Sequence, residues 1–171
     1  MDKQATLRPS DVAVALRLAQ RPAAIYQDLA AGLCLGLAQV HRAVQRLERA
    51  GLVLPGERRV NRQALLEFLE HGVRYAFPPH LGPEVRGVPT AASAPGLGSK
   101  LPSGPATVWP SAEGRVRGQA LTPLYDGAAQ AAVADAAFHR VLALVDALRI
   151  GQIRERRIAQ QLLREELEMA S

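Results

Sequence analysis

The sequence predicts a mainly α fold in three parts. Hydrophobic residues make up 48% of the chain but aromatic residues only 4%, so the core consists of alanine, leucine and valine, a composition that favours helices. Apolar residues recur at helical spacing in the first and last thirds. Between them, residues 77–127 hold 9 prolines and 8 glycines and cannot form long helices. We therefore divide the chain into residues 1–76, 77–127 and 128–171.

Charge and cysteine content narrow the class of protein. The 171 residues carry a net charge of +5. Residues 1–76 hold 11 basic against 7 acidic side chains, whereas residues 128–171 hold 6 of each, so the positive excess lies in the N-terminal part. One cysteine allows no internal disulfide, and no apolar run approaches the ~20 residues of a membrane span. We expect a cytoplasmic protein with no membrane partner.

Two short helices are predicted first. The first begins near Ser10, whose side chain is expected to cap it, and ends before Pro22, because the residue before a proline avoids the α region. The second covers residues 25–31, with Ile25 facing the core. A tight apolar turn follows, in which we expect Cys34 to be buried.

A third predicted helix covers residues 37–50, and its two faces differ in chemistry. The apolar face consists of Val40, Ala43, Val44, Leu47 and Ala50. The opposite face, which we call the recognition face, consists of Ala38, Gln39, Arg42, Gln45, Arg46 and Arg49. It has three guanidiniums, two amides and no acid, and these groups hydrogen-bond to phosphates and to guanine and adenine edges. We interpret this helix as the recognition helix of a helix-turn-helix.

A small β-hairpin is predicted directly after this helix. Gly51 suits the left-handed position that ends a helix. Residues 52–54 and 58–60 then form two strands around a Pro-Gly turn, with Arg58 and Arg59 at the tip. Such a tip reaches a phosphate backbone or a minor groove. A plain β-turn with solvated arginines is the alternative. Asn61 is then expected to cap a fourth helix.

Over about residues 10–75, this order of elements resembles the winged helix-turn-helix of MarR-like bacterial transcription regulators. The order is helix, helix, recognition helix, Gly-Leu-Val and wing. The resemblance implies a homodimer that binds double-stranded DNA at a pseudo-palindromic operator. It also implies base contacts by Gln39, Arg42 and Arg46. Phosphate contacts would come from Gln45, Arg49, Arg58 and Arg59.

The rest of the chain is predicted with less detail. Residues 91–105 have the composition of a flexible linker, while residues 108–109 and 116–121 are predicted short strands packed over helices. Residues 128–148 form one long helix, apolar nearly all round and so buried within the chain or against a partner. The last helix, residues 153–169, carries a charged face that we interpret as solvated and salt-bridged. We expect this helical hairpin to dimerise.

The leading hypothesis is a sequence-specific transcription regulator, acting as a repressor. The four histidines and the single cysteine lack metal-ligand spacing and no nucleophile motif occurs, so we expect no enzyme, cofactor or metal. The alternative is a winged-helix protein-interaction module, for example an antitoxin-like partner of a neighbouring gene product. Its contact surface would then include Phe77, Trp109 and Tyr125.

Overall fold

A computed structural model describes residues 6–102 and 104–169. It is 54% helical and contains eight α-helices and small sheets. The expected helical character is confirmed, but there is more sheet than a mainly α class implies. None of the helices in these two ranges combines the length and the apolar character that a bilayer span requires.

The N-terminal part is a three-helix unit followed by a hairpin and two further helices. In chain order its elements are α1 (Pro9–Gln20), α2 (Tyr26–Leu33), α3 (Leu37–Arg49), β1 (Val53–Leu54), β2 (Arg59–Val60), α4 (Arg62–His71) and α5 (Val73–Ala76). Helices α1, α2 and α3 pack on one another, and β1 pairs antiparallel with β2. Two predicted local signals are confirmed: Gly51 has a φ of 78°, and Asn61 caps α4 by accepting from the Ala64 amide.

Three local predictions in this part are wrong. Helix α1 begins at Pro9, which has no N–H to satisfy, and the Asp11 carboxylate rather than Ser10 closes its first turn by accepting from the Arg8 amide. Ile25 precedes α2 and is 52% exposed. Cys34 is exposed because its left-handed backbone ends α2 and turns the chain, so that Leu33 on one side of it is buried and Leu35 on the other packs against the core.

The middle of the chain is a compact β unit. It contains β3 (Leu81–Pro89), a short 3₁₀ helix (Ala91–Ser93), β4 (Thr107–Pro110) and β5 (Val116–Leu121). Strand β3 pairs antiparallel with β4 and β5, and β4 pairs parallel with β5, which closes a small barrel. The two strands predicted at residues 108–109 and 116–121 are confirmed. Strand β3 was not predicted, because its prolines and glycines resemble a loop.

Composition predicts a flexible linker over residues 91–105, but residues 91–101 are not one. Ala91, Ala94, Leu97 and Leu101 are all buried in the core. Their spacing of three to four residues lets a compact run of turns direct each apolar side chain inward. Residue 103 lies outside the described residues.

The C-terminal part contains α6 (Ala128–Ala134), α7 (Ala136–Ile150) and α8 (Ile153–Met169). The prediction of one helix over residues 128–148 is wrong, because Asp135 has an extended backbone and breaks it. Its carboxylate accepts from the Phe138 amide at 3.0 Å, which caps α7, and lies 2.6 Å from the Arg17 guanidinium of α1. The predicted break before the last helix is confirmed.

Helix α7 is the centre of the molecule. It contacts α1, α4, α5, α6, α8 and the 3₁₀ helix, so its apolar surface is buried within its own chain. The buried Asp146 carboxylate accepts from Thr90 Oγ1 at 2.7 Å, Trp109 Nε1 at 2.8 Å and Arg149 at 2.8 Å. Arg149 also donates to the Phe77 carbonyl. The bonds from Thr90 and Trp109 attach the β unit to α7, and the bond to Phe77 attaches the end of α5.

Candidate nucleic-acid interface

Helix α3 buries one side and exposes the other, as its sequence predicts. Val40, Ala43, Val44 and Leu47 are each 2% exposed or less. Ala50, predicted on the same face, is exposed because α3 ends at Arg49. On the recognition face, the exposed polar side chains are those of Gln39, Arg42, Gln45 and Arg49. The side chains of Arg42, Gln45 and Arg49 form no hydrogen bond or ion pair with any described residue.

Arg46 belongs to the same face by sequence but has a different environment. Its Nε and Nη2 donate to the two carboxylate oxygens of Asp11 at 2.8 and 2.7 Å. The Asp11 side chain is fully buried, and that of Arg46 is 10% exposed. These hydrogen bonds raise the pKa of the Arg46 guanidinium. The bidentate pair joins α1 to α3, and the interface proposed below does not use Arg46.

Gln39 also has a partner within the chain. Its side-chain Oε1 accepts from the Gly36 amide at 2.8 Å, one turn before it. The Gln39 side chain therefore caps the N-terminus of α3, because Gly36 at the N-cap position has no side chain to do so. A bidentate contact with adenine needs this same oxygen as an acceptor, so the capping bond competes with the base contact predicted for Gln39.

The hairpin tip carries the two predicted arginines, and both are exposed. Arg59 lies 3.2 Å from Glu57, in a pair whose side chains are 68% and 56% exposed. Such a surface pair is worth little, so it does not prevent Arg59 from contacting another anion. Arg58 instead lies over the Tyr26 ring, with 5.2 Å between its guanidinium carbon and the ring centroid.

A cleft of about 470 Å³ lies beside the first half of α3, against residues 124–127. Arg8, Arg42 and Arg46 line it together with the exposed acid Asp126. Tyr125 also lines it, and burial raises the pKa of its phenol. Sequence reasoning missed this neighbour, because residues 124–127 lie more than 70 positions from α3 and carry no local signal for it. The C-terminal half of the molecule thus borders the basic surface.

This surface presents guanidinium and amide hydrogen-bond donors on the exposed face of α3, and the adjacent hairpin adds two more arginines. In the described ranges, no group of three or more histidine, cysteine, aspartate or glutamate side chains is arranged to hold a metal ion. The chain matches no protein-family model, and neither curated proteins nor solved structures yield a match to it.

Proposed function

We propose that this protein binds double-stranded DNA with α3 in the major groove and acts as a transcription regulator, in the sense of a repressor. The observation that carries the proposal is the recognition face. Arg42, Gln45 and Arg49 are exposed there, no described residue pairs with them, and the face has no acid. Guanidiniums left unpaired on one helix suit phosphates and guanine edges.

Within this proposal the side chains have different tasks. Arg42 reads a base, while Gln45 and Arg49 contact phosphates, which fix the orientation of the helix on the duplex. Arg59 at the hairpin tip contacts the adjacent backbone. Arg46 keeps α3 in place through Asp11 and stays out of the groove.

The homodimer on a pseudo-palindromic operator is part of the same proposal. Two-fold symmetry in the protein would match two half-sites about one helical turn apart. Because α7 is enclosed within its own chain, the dimer contact has to use other surfaces of the C-terminal helices. Sedimentation of the protein with and without DNA measures the subunit number.

The test is fluorescence anisotropy with a labelled duplex from upstream of the protein's own coding sequence. We expect the wild-type protein to bind, and to bind more weakly as salt rises from about 50 to 200 mM, because phosphate contacts release counterions. The double variant Arg42→Ala/Arg49→Ala should lose this binding. The control Arg154→Ala/Arg157→Ala removes two exposed arginines from α8, the same change in net charge, and should keep it.

The protein-interaction module is the alternative that this test separates. Such a module has no use for unpaired guanidiniums in a row on α3. If the wild-type protein does not bind the duplex at low salt, the DNA proposal is wrong. Equal losses in Arg42→Ala/Arg49→Ala and in Arg154→Ala/Arg157→Ala would mean that net charge, not the recognition face, attracts the DNA.

A further inference from the structure

The Tyr26 side chain lies between the hairpin tip and α3. The Arg58 guanidinium packs over its ring at 5.2 Å. The His41 ring of α3 meets the same ring edge-to-face, with centroids 4.5 Å apart and planes at 85°. The half-buried Tyr26, at the first position of α2, therefore contacts both elements that are proposed to touch DNA.

A second contact joins the tip to α3. The Gly56 amide donates to the Glu48 carboxylate at 3.1 Å. Gly56 and Arg58 both have left-handed backbones, with φ of 72° and 51°. This conformation is costly for arginine. It brings the Arg58 side chain back over the helices.

The hairpin itself has little internal support. Each of its strands is two residues long, and an isolated two-stranded hairpin is marginally stable in water. Val53 and Val60 anchor the two strands in the core, but residues 55–58 at the tip are all exposed, so the position of the tip relative to α3 depends on the contacts of its own side chains and backbone. We infer that Tyr26 is a positioning residue that holds the hairpin at a fixed place beside α3, with Arg58 as its anchor and Arg59 as the outward cation. This inference rests on the proposed function of the same surface.

Positioning by Tyr26 has a consequence for recognition. Base contacts from α3 and backbone contacts from the hairpin then fall at a fixed spacing along one duplex. Without the Tyr26 ring the hairpin tip keeps only the Gly56–Glu48 hydrogen bond to α3, so it moves more freely and ordering it on DNA costs conformational entropy. Contacts by the hairpin weaken, while contacts by α3 remain.

The first experiment needs no DNA. Hydrogen exchange at the Gly56 amide is compared in wild type, Tyr26→Leu and Tyr26→Phe. Tyr26→Phe keeps the ring, so its exchange should match wild type. In Tyr26→Leu the Gly56 amide should exchange about two- to fivefold faster, because the loss of one cation–π contact at a partly exposed site corresponds to about that factor. The Ala64 amide, held by Asn61, reports whether the fold persists. Unchanged Gly56 exchange in Tyr26→Leu overturns the inference.

The second experiment separates this inference from the proposed function. Hydroxyl-radical footprinting reports backbone contacts, and guanine methylation reports the major groove. Tyr26→Leu should lose the backbone protection that flanks the groove site and keep the guanine protection, and Tyr26→Phe should keep both. Loss of both in Tyr26→Leu, or of neither, overturns the positioning role on DNA. If wild type shows no footprint, the proposed function fails, while the exchange experiment still decides whether Tyr26 holds the hairpin.

Discussion

Arg46 and Asp11 form the ion pair that locks α3 onto α1. Both charges are removed from water, and their two hydrogen bonds compensate for that desolvation only while both partners are present. Arg42 lies one turn earlier on the same helix and has no such partner among the described residues. The two arginines should therefore differ in what they contribute to folding.

Urea unfolding measures this difference. We expect Arg46→Ala to lose about 3–5 kcal/mol of unfolding free energy, because it leaves the buried Asp11 carboxylate unpaired. Arg42→Ala should stay within about 0.5 kcal/mol of wild type, as surface substitutions do. Similar losses in the two variants would contradict these separate roles.

The contrast also shows what helical periodicity predicts at the residue scale. Spacing along α3 correctly separates the buried Val40 and Leu47 from the exposed Arg42 and Arg49. It cannot separate Arg46 from Arg42, because the partner of Arg46 lies 35 positions away on another helix. Burial of a charged side chain depends on tertiary contacts that no local pattern encodes.

At the scale of elements, Asp135 divides the C-terminal region into α6 and α7. Burial favours the neutral form of its carboxyl, but the hydrogen bonds from Arg17 and the Phe138 amide, with the charges of Arg17 and Arg21, outweigh burial and lower the pKa of Asp135. The ionised carboxylate caps α7 and joins it to α1. Its contribution to stability therefore depends on pH.

The expected pH dependence follows from this lowered pKa. Above the unfolded-state pKa, about 4, the ionised Asp135 contributes its full stabilisation, which is lost as pH falls through the lower folded-state pKa. Wild type should thus be more stable than Asp135→Asn at pH 7, and the difference should shrink below about pH 4. Asparagine also caps helices, so this variant isolates the charge. Urea midpoints at several pH values measure the difference; a constant one would contradict the assignment.

Elements with local signals were predictable, and elements defined by distant contacts were not. Gly51 and Asn61 mark their helix ends in the sequence, and both predictions hold. Strand β3 was missed because its glycines serve close packing: a Cβ at Gly87 would lie 2.0 Å from the Trp109 carbonyl oxygen. The break at Asp135 was missed because the alanine-rich sequence around it favours a continuous helix. The partner that stabilises the break, Arg17, lies 118 positions away.

At the scale of the whole molecule, the N-terminal helices and the C-terminal helices share one continuous hydrophobic core. Ion pairs and hydrogen bonds cross between them, including Arg17 to Asp135 and Arg164 to Glu70 at 2.6 Å. The composition boundaries near residues 76 and 127 mark changes of secondary structure more than breaks in packing.

A shared core predicts one cooperative unfolding transition. Trp109 is the only tryptophan and is 1% exposed beside α7, so its fluorescence reports the β unit and the C-terminal helices. Far-ultraviolet circular dichroism reports all helices. We expect the two urea transitions to coincide. An earlier loss of helical signal, before the fluorescence changes, would mean that the N-terminal part unfolds separately.

If the recognition face of α3 reads DNA, Arg42→Ala should bind the preferred duplex and a random duplex with different losses of affinity, and measuring both affinities tests this most directly. We expect Arg42→Ala to lose about 1–3 kcal/mol of binding free energy on the preferred duplex, with discrimination lost at one base-pair position, and much less on random DNA. Equal losses on the two duplexes would contradict base reading by α3, because Arg42 would then contact only phosphate.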